Sequence, residues 1–145
     1  MTRLQVPLIQ QETSSVCWHA AARMLAAYRQ TCIDPLDAKF KANRTLMPAE
    51  FIRLARAVGL VPLPRVRQSF GAAFINDILT NHGPIWAAGY WDGLAHVIVV
   101  VGVDDSEELQ INDPGWMLPR YEHMDWFNDR IAKHVAHPMM YLPPR

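Results

Sequence analysis

Apolar residues recur every three or four positions through the first half of this 145-residue chain, and every second position or without interruption through the second half. That change of period predicts helices first and strands afterwards. From Val16 to Arg29, Ala20, Ala21, Met24, Leu25 and Tyr28 fall at helical spacing behind Ser14 and Ser15, either of which is a candidate N-cap. This helix should be central and buried, and Ala20, Ala21, Ala22, Ala26 and Ala27 let neighbouring elements approach it closely. Cys32 to Asn43, interrupted by Pro35, reads as a turn and a short helix. A second long helix is signalled by Pro48 in its first turn, Phe51, Ile52, Leu54, Ala55 and Val58 along one side, and Gly59 just past its end. A third spans about Phe70 to Asn81, with Ser69 as candidate N-cap and Gly83-Pro84 as the stop. Leu60 to Val66, between them, allows one edge strand at most.

From Pro84 onward the β pattern dominates. Ile85 to Tyr90, His96 to Val103 and Leu109 to Ile111 are strand runs, divided by turn clusters at Asp92-Gly93 and at Asp104 to Glu107. Val97 to Val101 is apolar on both faces, as a central strand covered on both sides would be. After Asp113-Pro114-Gly115, Met124 to Lys133 reads as a short helix and Pro138 to Leu142 as a closing strand. The expectation is one α+β domain over residues 1–145, with the first helix packed against a C-terminal antiparallel sheet.

Composition narrows the function classes without choosing one. Half of the residues are hydrophobic, enough for a single core without disulfide staples. Fourteen basic and fourteen acidic side chains cancel, with no basic cluster, so nothing points to nucleic acid. No apolar run approaches membrane-spanning length, and the first residues lack the apolar core of a secretory signal. The two cysteines, Cys17 and Cys32, follow no metal or redox-pair spacing. Helical rise would hold them about four turns apart, so both are expected to be free thiols, and Cys32, outside any motif, a small buried apolar residue.

The chemistry starts at Cys17. A cysteine in the first turn of a helix meets unpaired N–H groups and the positive end of the macrodipole, both of which favour a thiolate. Gln11, six residues upstream, can aim its amide at a developing oxyanion, and Gln10 competes with it for that role. A cysteine nucleophile needs a basic or cationic partner. Of the six histidines, His96 is the best placed, at the start of the central strand and therefore at the sheet rim. The strand after it runs into Asn112-Asp113-Pro114-Gly115. Antiparallel pairing would bring that end beside His96, where Asn112 or Asp113 can orient the imidazole. His82, His123, His134 and His137 form no metal-binding pattern, and neither a cofactor nor a catalytic metal is expected.

Three segments together resemble the papain-like cysteine peptidases: Gln11-x5-Cys17-Trp18 ahead of an alanine-rich helix, Gly93-x2-His96 opening a valine-rich strand, and Asn112-Asp113-Pro114. Within that clan they are most similar to the compact bacterial avirulence-type effector peptidases, whose helix also contains an Ala-Arg-Met run, here Ala22-Arg23-Met24. The bacteriocin-leader-processing peptidases are neighbouring relatives. The resemblance covers about Val6 to Leu142. It implies a papain-like fold, with Cys17 as nucleophile, His96 as general acid and base, Asp113 as orienter and Gln11 as oxyanion-hole donor. Val16 departs from the pattern, since many relatives carry glycine before the cysteine.

The expected activity is amide-bond hydrolysis on a protein or peptide substrate, by an effector or toxin domain that is cytoplasmic in its producer or delivered through a specialised secretion apparatus. An inhibitory or immunity protein is an expected partner; nucleic acid and membrane are not. Two alternatives remain open: a peptidoglycan amidohydrolase or deamidating effector on the same fold, and a papain-like module that only binds peptide.

Overall fold

The computed structural model describes residues 1–13, 15–33, 46–64 and 69–144. Its centre is an antiparallel sheet of six strands: β1 (Val61–Pro62), β2 (Ile85–Gly89), β3 (His96–Val103), β4 (Glu108–Asn112), β5 (Arg120–His123) and β6 (Met139–Tyr141). Their order across the sheet is β1-β6-β2-β3-β4-β5. The helices are α1 (Cys17–Tyr28), α2 (Phe51–Val58), which continues a 3-10 turn over Pro48–Glu50, α3 (Ala72–His82) and α4 (Met124–Arg130).

Helices cover both faces, so the apolar runs in β2 and β3 need no polar side. Trp86, Ala88, Val97, Val99 and Val101 share one core with α1 and α2. Ile85, Ala87, Ile98 and Val100 share the other with α3 and α4. Strand parity would send Val103 to the α1 side, yet it lies in the opposite core. The cause is a break in register between Val100 and Gly102 against β4, a bulge that inverts side-chain parity beyond it. The N-terminal segment pairs beside that bulge: Leu4 N donates to Val101 O at 2.8 Å and Val103 N to Thr2 O at 3.0 Å. A Cβ at Gly102 would meet Arg3 Cγ at 2.9 Å, so this close approach uses the missing side chain.

Helix α1 packs on the sheet through a buried face that mixes alanines with larger apolar side chains. Ala21 and Ala22 are fully buried beside Met24 and Leu25. Trp86 anchors the start of the helix by donating its Nε1 proton to Trp18 O at 3.1 Å. Helix α2 ends as expected at Gly59, which takes the left-handed conformation at φ +82°.

Four expectations need correction. Val16, not a serine, is the N-cap of α1. Helix α3 starts at Ala72 behind Gly71 rather than at Phe70 behind Ser69. The backbone of Phe70 is held elsewhere, because Asn128 accepts from its N–H at 2.7 Å and donates to its carbonyl at 2.8 Å. Strand β5 has no counterpart in the sequence reading. Cys32 is exposed, although both cysteines are free as expected. The turn and short helix expected over Cys32 to Asn43 lie largely outside the described residues.

Candidate active site

Cys17 is the first residue of α1, so it sits where the helix presents unpaired N–H groups and the positive end of its dipole. Val16 has no polar side chain with which to close that end. The thiol is buried at the foot of a mainly apolar pocket lined by Trp18, Phe51, Ala88, Tyr90 and Val135, with His96 beside it.

His96 opens β3, the second strand of the β2–β3 hairpin, and pairs with Gly89. Its Nε2 lies 2.6 Å from Asp113 Oδ1, and the ring lines the same pocket as Cys17, near enough for the thiol to act on its charge. With Nε2 taken by the carboxylate, Nδ1 is the nitrogen left for the thiol. Burial alone would lower the His96 pKa. Hydrogen bonds and charge from Asp113 and Cys17 outweigh it and raise the pKa to about 9. Asp113 is buried too, which alone would raise its pKa. His96, the Gly115 N–H and Arg120 reverse that and hold the carboxyl below its ordinary value.

Antiparallel pairing of β3 with β4 brings Asp113 to this point, just beyond Asn112, which pairs with Val99. The two neighbouring candidates part company here. Asn112 turns away and donates its amide proton to Val6 O at 2.9 Å, so only Asp113 meets the histidine.

The glutamines separate as clearly. Gln10 is exposed and Gln11 half-buried. Gln11 is fixed by its backbone N–H, which donates to Pro114 O at 2.9 Å. A Cβ on Gly115 would stand 3.3 Å from Asp113 Oδ1, 3.9 Å from His96 Nε2 and 4.0 Å from Gln11 Oε1. Three of the four expected residues thus gather around one glycine, and the fourth, Cys17, meets His96 from the helix side. Gln11 Oε1 is buried and makes no hydrogen bond among the described residues. The two ends of an amide have nearly the same shape, so a half-turn puts the Nε2 donor in its place.

Arg120 belongs to the same cluster and was missed in the sequence. It stands at the start of β5 with its side chain 4% exposed, 2.9 Å from Asp113 Oδ2. A short Arg-Tyr-Glu-His strand carries no apolar alternation, and nothing local marks that arginine as buried. Among the described residues, no group of three His, Cys, Asp or Glu side chains is arranged to hold a metal ion.

The family model described as papain-like cysteine protease AvrRpt2 matches residues 1–132. The chain belongs to this family. It is a papain-like cysteine peptidase, as the three sequence segments implied. Among solved structures it is similar to a double-glycine motif protease from an AMS/PCAT transporter in complex with the leader peptide. That similarity has a TM-score of 0.63 at 17% identity and covers 97% of this chain and 92% of the other. At such identity the likeness concerns the fold, which is the α+β papain-like arrangement expected. No curated protein sequence matches the chain.

Proposed function

We propose that this peptidase cleaves peptide bonds with Cys17 as nucleophile, His96 as general acid and base, Asp113 as orienter and Gln11 as oxyanion-hole donor. The observation that carries the assignment is the imidazole of His96, which stands 2.6 Å from the Asp113 carboxylate and beside Cys17 in one pocket.

The Cys17 thiolate attacks the carbonyl carbon, and the carbonyl electron pair moves to oxygen. The Cys17 backbone N–H and the Gln11 side-chain amide donate to that oxyanion. The His96 imidazolium then protonates the departing amine, which leaves an acyl thioester on Cys17 and a neutral ring. Neutral His96 next takes a proton from water as its oxygen attacks the thioester. Collapse releases the acid and restores the thiolate–imidazolium pair. Asp113 keeps Nε2 as the protonated nitrogen throughout, so Nδ1 is the one that exchanges protons.

A peptide substrate is supported by the family and by the neighbour's bound leader peptide. The apolar pocket beside Cys17 suits an uncharged side chain next to the cleaved bond. The AvrRpt2 name of the matching family suggests an effector, and the proposal extends to action on foreign proteins after delivery through a specialised secretion apparatus.

The test is cleavage of a proteome-derived peptide library by the wild type and by Cys17→Ala, with purified sacculi in parallel. Peptide cleavage lost in Cys17→Ala is expected. Turnover of sacculi alone would replace the peptidase assignment with an amidohydrolase. Absence of any turnover, together with iodoacetamide labelling of Cys17 no faster than of Cys32, would leave only a peptide-binding module.

A further inference from the structure

We propose that Arg120 is a positioning residue of the catalytic site: by pairing with the outer oxygen of Asp113 while clasping Asp92, it holds Asp113 anionic and aimed at His96. The inference rests on the assignment of Cys17, His96 and Asp113 above.

The two oxygens of Asp113 have separate duties. Oδ1 accepts from Gly115 N at 2.8 Å and faces His96 Nε2 at 2.6 Å. Oδ2 accepts from Arg120 Nη1 at 2.9 Å. The same Nη1 reaches Asp92 Oδ2 at 3.0 Å, while Nη2 reaches Asp92 Oδ1 at 3.2 Å and Glu122 Oε1 at 3.0 Å. Asp92 lies in the turn closed by Gly93 N donating to Tyr90 O, four residues before His96. One guanidinium therefore ties the turn that leads into His96 to the loop that carries Asp113. The Trp116 ring lies 4.1 Å and the Trp126 ring 4.9 Å from its central carbon, which fixes its plane.

The charges explain why a permanent cation belongs there. Asp92, Asp113 and Glu122 converge on Arg120, and Asp113 itself is 1% exposed. The other positive group facing Asp113 is His96, whose charge disappears each time it protonates a leaving amine. At that moment a buried carboxylate without a second cation would take up a proton or turn away. Arginine does not lose its proton in this pH range, so Asp113 stays anionic whichever form His96 takes. A lysine would place one point charge where three carboxylates and two indole rings engage a planar fork.

The readout is the pH dependence of Cys17 alkylation by iodoacetamide, resolved by mass spectrometry with the exposed Cys32 as internal reference. In the wild type, Cys17 should react faster than Cys32 at pH 6. In Arg120→Gln the acid limb of the Cys17 profile should move up by about one pH unit or more, because an Asp113 without its cation protonates more readily. The Cys32 profile should not move, and Arg120→Lys should recover part of the displacement. In an Asp113→Asn background, Arg120→Gln should change the Cys17 rate less than about twofold, since the carboxylate that faces His96 is already gone.

A folded Arg120→Gln protein with the wild-type profile would overturn the inference, as would an equal loss in the Asp113→Asn background. If Arg120→Gln does not fold, adding Asp113→Asn should restore folding, and failure to do so would also overturn it. A wild-type Cys17 no faster than Cys32 would overturn the nucleophile assignment and this inference with it. A fast Cys17 whose profile ignores Arg120 would overturn this inference alone.

Discussion

Replacing Asp113 by asparagine keeps the size and the acceptor oxygen at the orienting position, removes the charge, and puts an amide NH2 where Oδ2 accepted from Arg120. His96 titrates at about 9 against an ordinary value of 6.5, which corresponds to about 3 kcal/mol in favour of the imidazolium. That preference survives burial, which acts against it, so Asp113 and Cys17 together supply more than the net amount. The hydrogen bond to Asp113 is the largest of the raising contributions. In Asp113→Asn the His96 midpoint should therefore fall below about 8, more than a tenfold loss of preference for the charged ring. The fold should survive, because Arg120 retains Asp92 and Glu122. The assay is an NMR titration of the imidazole Cε1 proton, assigned by its disappearance in His96→Gln. The wild-type imidazolium is present below about pH 9 and is lost as pH rises through that value. The basic limb of kcat/KM for peptide cleavage should follow, and should move down in Asp113→Asn. A His96 midpoint that stays near 9 in the variant would refute the account of its elevation.

Two further expectations follow from placement. Gln11→Ala should lower kcat by on the order of 10²–10³-fold with KM little changed, while Gln10→Ala, at an exposed position, leaves both near wild type; steady-state kinetics on one peptide decides between them. Gly89→Ala should cost about 1–3 kcal/mol in urea denaturation. The new methyl would stand 2.6 Å from Arg130 O and from the Trp91 ring, at the strand position that pairs with His96.

Legibility in the sequence followed how local each signal was. Strand β3 and helix α1 could be read almost to the residue, because an unbroken valine run and a helical spacing of alanines each report burial directly. The meeting of His96 with Asp113 could also be anticipated, since it needs only an antiparallel hairpin. Asn112 and Asp113 could not be separated beforehand. What distinguishes them is a backbone carbonyl at Val6, more than a hundred positions away, that captures one of the two. Arg120 stayed hidden for the same reason, being buried only because Asp92 and Asp113 come to it from other elements. Helix starts were misjudged where a serine offered a cap but tertiary contacts chose another place, as the clasp of Asn128 on Phe70 shows.

Strand β6 carries the longest-range strand pairings of the sheet. It lies between β1 and β2, pairing Tyr141 with Val61 and Met140 with Trp86, whereas β2 to β5 follow one another both along the chain and across the sheet. The four consecutive strands can zip through short connections, but β6 must bridge segments tens of residues apart and bears the higher loop-closure cost. Until it arrives, β2 offers an open edge to any other extended chain. A fragment stopped at residue 132, where the family match ends, would keep Cys17, His96 and Asp113 yet lack the strand that closes that edge. Self-association of such a fragment would compete with completion of the sheet, so solubility rather than missing chemistry would limit its use.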